Sequence, residues 1–156
     1  MSHVLVIFQA DTERTEQLAL AVGVGAVESE ASIRLRRLRK PGMLEVGHKG
    51  YGTLREADLL WADTVVVGLE EKTAGTEELN GLLEVVAAVE AGQMKGKKVW
   101  TFGAEGIAAE KTEAQTAAEG SLLASGMTLA SMKAPDAGDL TGRMKDAGRQ
   151  LGRERI

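Results

Sequence analysis

The chain of 156 residues contains no cysteine. This absence excludes disulfides, thiol catalysis and metal sites built on cysteine. It is compatible with a reducing cytoplasm, where we expect the protein to be located. Aromatic residues are also scarce, at 3% of the sequence, so few side chains are available to stack on a planar ligand. The N-terminal residues include neither a basic leader nor a long apolar run, so we expect no signal peptide and no membrane span.

The charged residues are nearly balanced: 19 basic and 23 acidic side chains give a net charge of −4 at pH 7. Neither nucleic acid nor an anionic membrane surface is therefore expected as a partner. Hydrophobic residues make up 44% and charged residues 27% of the chain, which is typical of a soluble globular protein. The length suits one domain with a full core, and we predict a single domain over residues 1–156.

Apolar strands and amphipathic helices alternate along the chain. The predicted strands cover residues 3–8, 31–38, 64–68, 98–102 and 127–133. The predicted helices cover residues 14–27, 54–61, 76–91, 109–125 and 138–153. The first helix is expected to end near Gly23 and Gly25, and residues 40–53 are expected to form a long loop without periodicity. Continuously apolar inner strands separated by helices predict a parallel sheet that is covered on both faces.

The first predicted strand leads into a loop that is suited to binding an anion. Gln9 ends the apolar run, and the sequence Ala10-Asp11-Thr12-Glu13-Arg14-Thr15 then opens the first helical pattern. Unpaired amides and the positive end of the helix dipole meet at such a helix start. The loop resembles the FMN-phosphate loop of flavodoxin-like proteins, Ser/Thr-x-Thr-Gly-x-Thr. It keeps Thr12 and Thr15, but Ala10 replaces the first hydroxyl residue and Glu13 replaces the glycine.

Right-handed crossovers leave few topologies for five parallel strands, and the flavodoxin-like order 2-1-3-4-5 is one of them. We therefore predict an α/β three-layer sandwich with this strand order. Ligands of such sheets bind beyond the carboxyl ends of strands 1, 3 and 4, near the switch in strand order. The loops at these ends are Gln9–Thr15, Gly68–Gly75 and Phe102–Gly106. Three separate loops are thus expected to meet at one crevice.

Four stretches together resemble the NAD(P)H:quinone oxidoreductases of the tryptophan-repressor-binding-protein type: Thr12–Ala26, Ala57–Leu83, Lys95–Gly103 and Glu113–Met127. The resemblance implies a flavodoxin-like enzyme that binds FMN and passes electrons from NAD(P)H to a quinone. It also implies a homodimer or homotetramer. The cofactor-binding residues implied are Ala10, Thr12, Glu13, Arg14, Thr15, Gly68, Leu69, Glu70, Glu71, Lys72, Thr73, Phe102, Gly103 and Ala104. Catalytic residues are not assigned, and no carboxylate spacing indicates a metal site.

The three loops depart from the family pattern in one direction. The second loop of the family reads Gly-x-Pro-Thr-x-x-Gly, whereas this chain has Glu70 and Glu71 in place of the Pro and Thr. The third loop contains Glu105, and the first contains Glu13. Each change adds negative charge where a phosphate and an electron-accepting ring would bind. The alternative hypothesis is therefore a flavin-free flavodoxin-like module that binds another molecule or acts through a partner.

Each feature also has a structural interpretation. The alternative role of Thr12 and Thr15 is to cap the first helix without binding a ligand. The alternative for Phe102 is a place in the core rather than at the crevice. A receiver-type signalling domain shares the strand order, but the third strand ends in Gly68-Leu69 rather than in an aspartate. One basic cluster is interpreted as the solvent-facing side of an edge strand, with a docking patch for an acidic partner as the alternative. Its members are Arg34, Arg36, Arg37, Arg39 and Lys40.

Overall fold

Strands and helices alternate along the described part of the chain. The computed structural model describes residues 2–9, 13–38, 52–69, 77–90, 92–103, 111–130 and 140–153. The strands are β1 (His3–Gln9), β2 (Ser32–Leu38), β3 (Gly52–Thr53), β4 (Thr64–Leu69), β5 (Lys98–Gly103) and β6 (Thr128–Leu129). The helices are α1 (Glu13–Glu28), α2 (Glu56–Trp61), α3 (Glu77–Ala88), α4 (Glu113–Ala124) and α5 (Leu140–Arg153). None of the helices within these ranges is long and apolar enough to cross a bilayer.

The strands form one parallel sheet in the order β3-β2-β1-β4-β5-β6. The five predicted strands correspond to β1, β2, β4, β5 and β6, so the predicted order 2-1-3-4-5 is confirmed. Gly52 and Thr53 were expected at the end of the long loop, and this expectation is wrong. They pair with Arg36 and Arg37 and extend the sheet beyond β2. Two residues are too few for a recognisable alternation of side chains, so the sequence carries no signal for this strand.

The sheet divides the interior into two hydrophobic cores, because successive strand residues point to opposite faces. One core lies under α2, α3 and α4 and includes Leu5, Ile7, Val65, Val67, Leu59, Leu82 and Leu122. The other lies under α1 and α5 and includes Val4, Val6, Phe8, Val66, Leu18, Val22, Met144 and Leu151. Strands β1 and β4 contribute to both cores, which explains their continuous apolar runs.

Helix α1 packs against α5 with backbone contacting backbone. A Cβ atom on Gly25 would lie 1.9 Å from the carbonyl oxygen of Lys145, and one on Gly148 would lie 2.0 Å from that of Val22. The predicted bounds of the first helix, residues 14–27, agree with those of α1, but the expectation of a helix end near Gly23 and Gly25 is wrong, since α1 continues to Glu28. The missing side chains allow the two helices to approach closely rather than stopping the first one.

Helix α2 is fixed to β2 by a buried carboxylate. Asp58 accepts hydrogen bonds from Arg34 Nη1 at 3.1 Å and from Arg36 Nε at 3.0 Å, and its side chain is only 5% exposed. The Arg34 guanidinium also lies 4.4 Å from the ring centroid of Trp61. At the other end of α2, Lys97 Nζ donates to backbone carbonyls of the last turn and the residue after it. Burial lowers the pKa of this amine, and the charge of Asp63 opposes that shift.

The interpretation of the arginines as the solvent-facing side of an edge strand is wrong for the described members of the cluster. Arg34 and Arg36 are paired with Asp58, and β3 covers part of the edge of β2. Arg37 is buried. Arg39 and Lys40 lie outside the described residues. Since the two half-buried arginines already have a carboxylate partner within the chain, they do not form a free basic patch.

Candidate functional site

The carboxyl ends of the three central strands lie side by side. Phe8 of β1 pairs with Gly68 of β4, which pairs in turn with Phe102 of β5, and Leu69 pairs with Gly103 one residue further on. The three predicted loops therefore leave the sheet at one edge. Their central residues lie outside the described part, and these include the predicted site residues Ala10, Thr12, Glu70, Glu71, Lys72, Thr73 and Ala104. The described site residues that the fold brings to this edge are Glu13, Arg14, Thr15, Gly68, Leu69, Phe102 and Gly103.

Helix α1 begins at Glu13, close behind the end of β1 at Gln9. Its first amides have no partner within the helix, and the positive end of its dipole lies at the same edge of the sheet. Thr15 lies in the first turn and is fully buried. Its Oγ1 atom has no hydrogen-bond partner among the described residues, so Thr15 does not act as a capping hydroxyl there. A buried hydroxyl at a helix start that has no partner among the described residues fits an anion such as a phosphate.

Gly68 and Phe102 pack against each other in the core under α1 and α5. The Phe102 side chain is fully buried, and a Cβ atom on Gly68 would lie 2.3 Å from the ring atom Cζ. The ring centroid is 5.8 Å from that of Trp100, which precedes it on the same face of β5. The interpretation of Phe102 as a core residue is confirmed. The Phe102 ring thus occupies the space that the missing side chain of Gly68 leaves. Because this ring is buried in the core, it is not available to stack on a bound flavin.

A buried polar network connects β5 with α4 and the two residues before it. Glu119 accepts hydrogen bonds from Thr101 Oγ1 at 2.7 Å and from Lys111 Nζ at 2.8 Å. Gln115 Nε2 donates to Thr101 Oγ1 at 3.2 Å, and its Oε1 atom accepts from the backbone amide of Thr112. Thr101 lies two residues before the end of β5, whereas Lys111 and Thr112 directly precede α4. The network therefore ties Lys111 and Thr112, directly before α4, to β5, the strand from which the third loop leaves.

The sequence alone did not indicate this network. The feature that identifies the network is the burial of two polar residues, Glu119 on the inner face of α4 and Thr101 on an inner strand. Neither residue type is normally buried without a partner. Because Thr101 and Glu119 are separated by 18 positions, no local spacing pattern connects them. Only the packing of α4 on β5 brings them together.

The chain was also compared with known proteins. No protein-family model matches it, and no curated protein matches it either. Its structure is similar to that of oxidised flavodoxin 2 from Bacillus cereus, with a TM-score of 0.68 and 19% identity over 96% of this chain and 97% of that chain. It is similar to a flavodoxin from the domain Archaea, with a TM-score of 0.66 and 16% identity over 96% of both chains.

The structure is also similar to an NAD(P)H:quinone oxidoreductase from Methanothermobacter marburgensis. The TM-score is 0.54 and the identity is 15%, over 99% of both chains. The fold is flavodoxin-like. At these identities the likeness establishes the architecture, and an argument about function depends on the residues at the carboxyl edge.

Proposed function

We propose that this protein binds FMN at the carboxyl edge of the sheet and passes electrons from NAD(P)H to a quinone-type acceptor. The observation that carries the proposal is the fully buried Thr15 hydroxyl, which lacks a partner among the described residues and lies in the first turn of α1. The strand order adds support, since the ends of β1, β4 and β5 meet at this edge. So do the similar structures, which are named as flavodoxins and as an NAD(P)H:quinone oxidoreductase.

The chain's own residues would position the cofactor, while bound FMN would supply the redox chemistry. Thr15 Oγ1 and the amides of the first turn of α1 would donate to the phosphate. The backbone at Gly68 and Leu69 leads into the second loop, which would run along one side of the flavin ring. The network around Glu119 would hold the third loop, on the other side of the ring. NAD(P)H, the quinone, a homodimeric or homotetrameric assembly and a cytoplasmic location are parts of the same proposal.

Titration of the purified protein with FMN tests this proposal. We expect quenching of flavin fluorescence with a Kd in the micromolar range or tighter, which corresponds to about −8 kcal/mol at 1 μM. The bound flavin should then be reduced by NADH or NADPH and reoxidised by a soluble quinone. A protein that neither carries a flavin spectrum nor quenches FMN at high protein concentration would leave the flavin-free binding module as the better description.

Substitution of Glu13 tests whether the acidic first loop weakens cofactor binding. We expect Glu13→Gly to tighten FMN binding about tenfold, because two like charges about 4 Å apart repel by about 1 kcal/mol in bulk water and by about 4 kcal/mol at an effective dielectric constant of about 20. Glu13→Gln removes the charge but keeps a side chain of similar size, so it should give part of the increase in affinity for FMN. Glu28→Gln, at the opposite end of α1, is the control and should leave the affinity unchanged. An unchanged Kd in both Glu13 variants would show that this carboxylate does not oppose FMN.

A further inference from the structure

Arg37 is a buried cation on the α1 side of the sheet. It is 8% exposed. Its neighbours on β2 face the other side: Arg36 pairs with a carboxylate of α2, and Leu38 belongs to the core under α2, α3 and α4. Because strand residues alternate, Arg37 shares the opposite face with Ile33 and Leu35, which pack against the core under α1 and α5.

The Arg37 guanidinium has no counter-charge within the described chain. Its Nε atom is buried without a hydrogen-bond partner, and none of the carboxylates whose side chains the structure describes forms an ion pair with it. Arg34 and Arg36 on the same strand are both paired with Asp58. A buried charge without a partner is one of the costliest groups to keep in a fold. Because the described side chains offer Arg37 no counter-charge, a bound anion is a candidate partner for it.

The lengths of β2 and α1 indicate that Arg37 and Thr15 lie at a similar height along the sheet. Arg37 pairs with Phe8 across β1 and β2, close to the carboxyl edge. Helix α1 covers these two strands and runs antiparallel to them, and a Cβ atom on Gly23 would lie 3.1 Å from Ile33 Cδ1. From Ile33 to Arg37 the strand rises about 13 Å. From Gly23 back to Thr15 the helix rises about 12 Å in the same direction.

We propose that Arg37 and Thr15 together form a binding site for a phosphoryl group, between the first turn of α1 and the end of β2. Thr15 contributes a fully buried hydroxyl without a described partner, and Arg37 contributes a planar, permanently charged donor. The inference deepens the proposed function and rests on it where the occupant is the phosphate of FMN. The same chemistry would also bind inorganic phosphate or the phosphate of a different metabolite.

Binding measurements with three probes test the site. Inorganic phosphate, FMN and riboflavin are titrated by calorimetry into the full-length protein and its Arg37→Met and Arg37→Lys variants. We expect Arg37→Met to weaken the binding of phosphate and of FMN at least tenfold and to leave riboflavin, which has no phosphate, unaffected. Arg37→Lys keeps the charge but not the planar fork and should show a smaller loss. Arg34→Met, on the other face of the same strand, is the matched control and should leave all three affinities unchanged.

The outcomes separate this inference from the proposed function. Phosphate binding that depends on Arg37, in a protein that does not bind FMN, would support the site and overturn the flavin proposal. Equal affinities in the original chain and in Arg37→Met would overturn the site, as would a protein that binds neither phosphate nor FMN. Thermal unfolding provides a second readout, in which phosphate should raise the Tm of the original chain but not that of Arg37→Met. Failure of Arg37→Met to fold without phosphate would identify Arg37 as a purely structural residue and would also overturn the proposal.

Discussion

Substitution of Gly25 by alanine is expected to lower the free energy of unfolding by about 3 kcal/mol or more. The added Cβ atom would lie 1.9 Å from the carbonyl oxygen of Lys145 and 3.0 Å from the amide nitrogen of Arg149. Both are backbone atoms of α5, so no side-chain rotation relieves the overlap. The helices would have to separate, and the apolar contacts between α1 and α5 would be lost with them.

Urea denaturation of a set of glycine variants measures this effect. Gly148→Ala should be destabilised by a similar amount, since its Cβ atom would lie 2.0 Å from the carbonyl oxygen of Val22. Gly81→Ala and Gly120→Ala are the matched controls, because a Cβ atom at either helical position has no neighbour within 4 Å. These two should gain about 0.5–1 kcal/mol from reduced backbone freedom. A Gly25→Ala variant as stable as the original chain would contradict the close helix contact.

The helix start and stop signals in the sequence are local, whereas the use of a glycine can depend on a distant element. Gly23 and Gly25 suggested a helix end, because glycine is common where helices stop. The sequence does not distinguish a glycine that ends a helix from one that allows close packing. For Gly25 the deciding contact lies on α5, about 120 residues away, and for Gly23 it is with Ile33 and Leu35 of β2. The strand order was predictable for the opposite reason. The apolar runs of β1 and β4 are themselves sufficient to indicate inner strands of a parallel sheet.

At the candidate site, the sequence was informative about position and less informative about partners. The carboxyl-end rule for parallel sheets correctly brought Thr15, Gly68 and Gly103 to one edge. It could not show that Phe102 covers Gly68. Arg37 did carry a signal, since it occupies the same alternation as Ile33 and Leu35 rather than that of Arg34 and Arg36. This pattern was overlooked because all the basic residues of the strand were expected to face solvent.

Substitution of Asp58 by alanine is expected to lower the free energy of unfolding by about 3 kcal/mol, the lower end of the range for breaking a buried pair. The carboxylate binds Arg34, Arg36 and the backbone amide of Arg55, which begins α2. The lower figure is appropriate because the side chains of the two arginines are 36% and 26% exposed, so their guanidinium groups can turn toward water. The substitution would mainly weaken the contact between α2 and β2.

The exposed pair between Glu28 and Arg149 is the control for this prediction. Its Nε–Oε1 distance is 2.7 Å, but both side chains are well exposed, so Glu28→Ala should cost no more than about 1 kcal/mol. Trp61 reports on α2 directly, because its ring stacks on His3 with centroids 4.6 Å apart and contacts Arg34. With Trp100 replaced by phenylalanine as a common background, the emission of Trp61 in Asp58→Ala should change at lower urea concentration than the helical signal does. If both transitions shifted together by less than the Glu28→Ala effect, Asp58 would not be the group that holds α2 on the sheet.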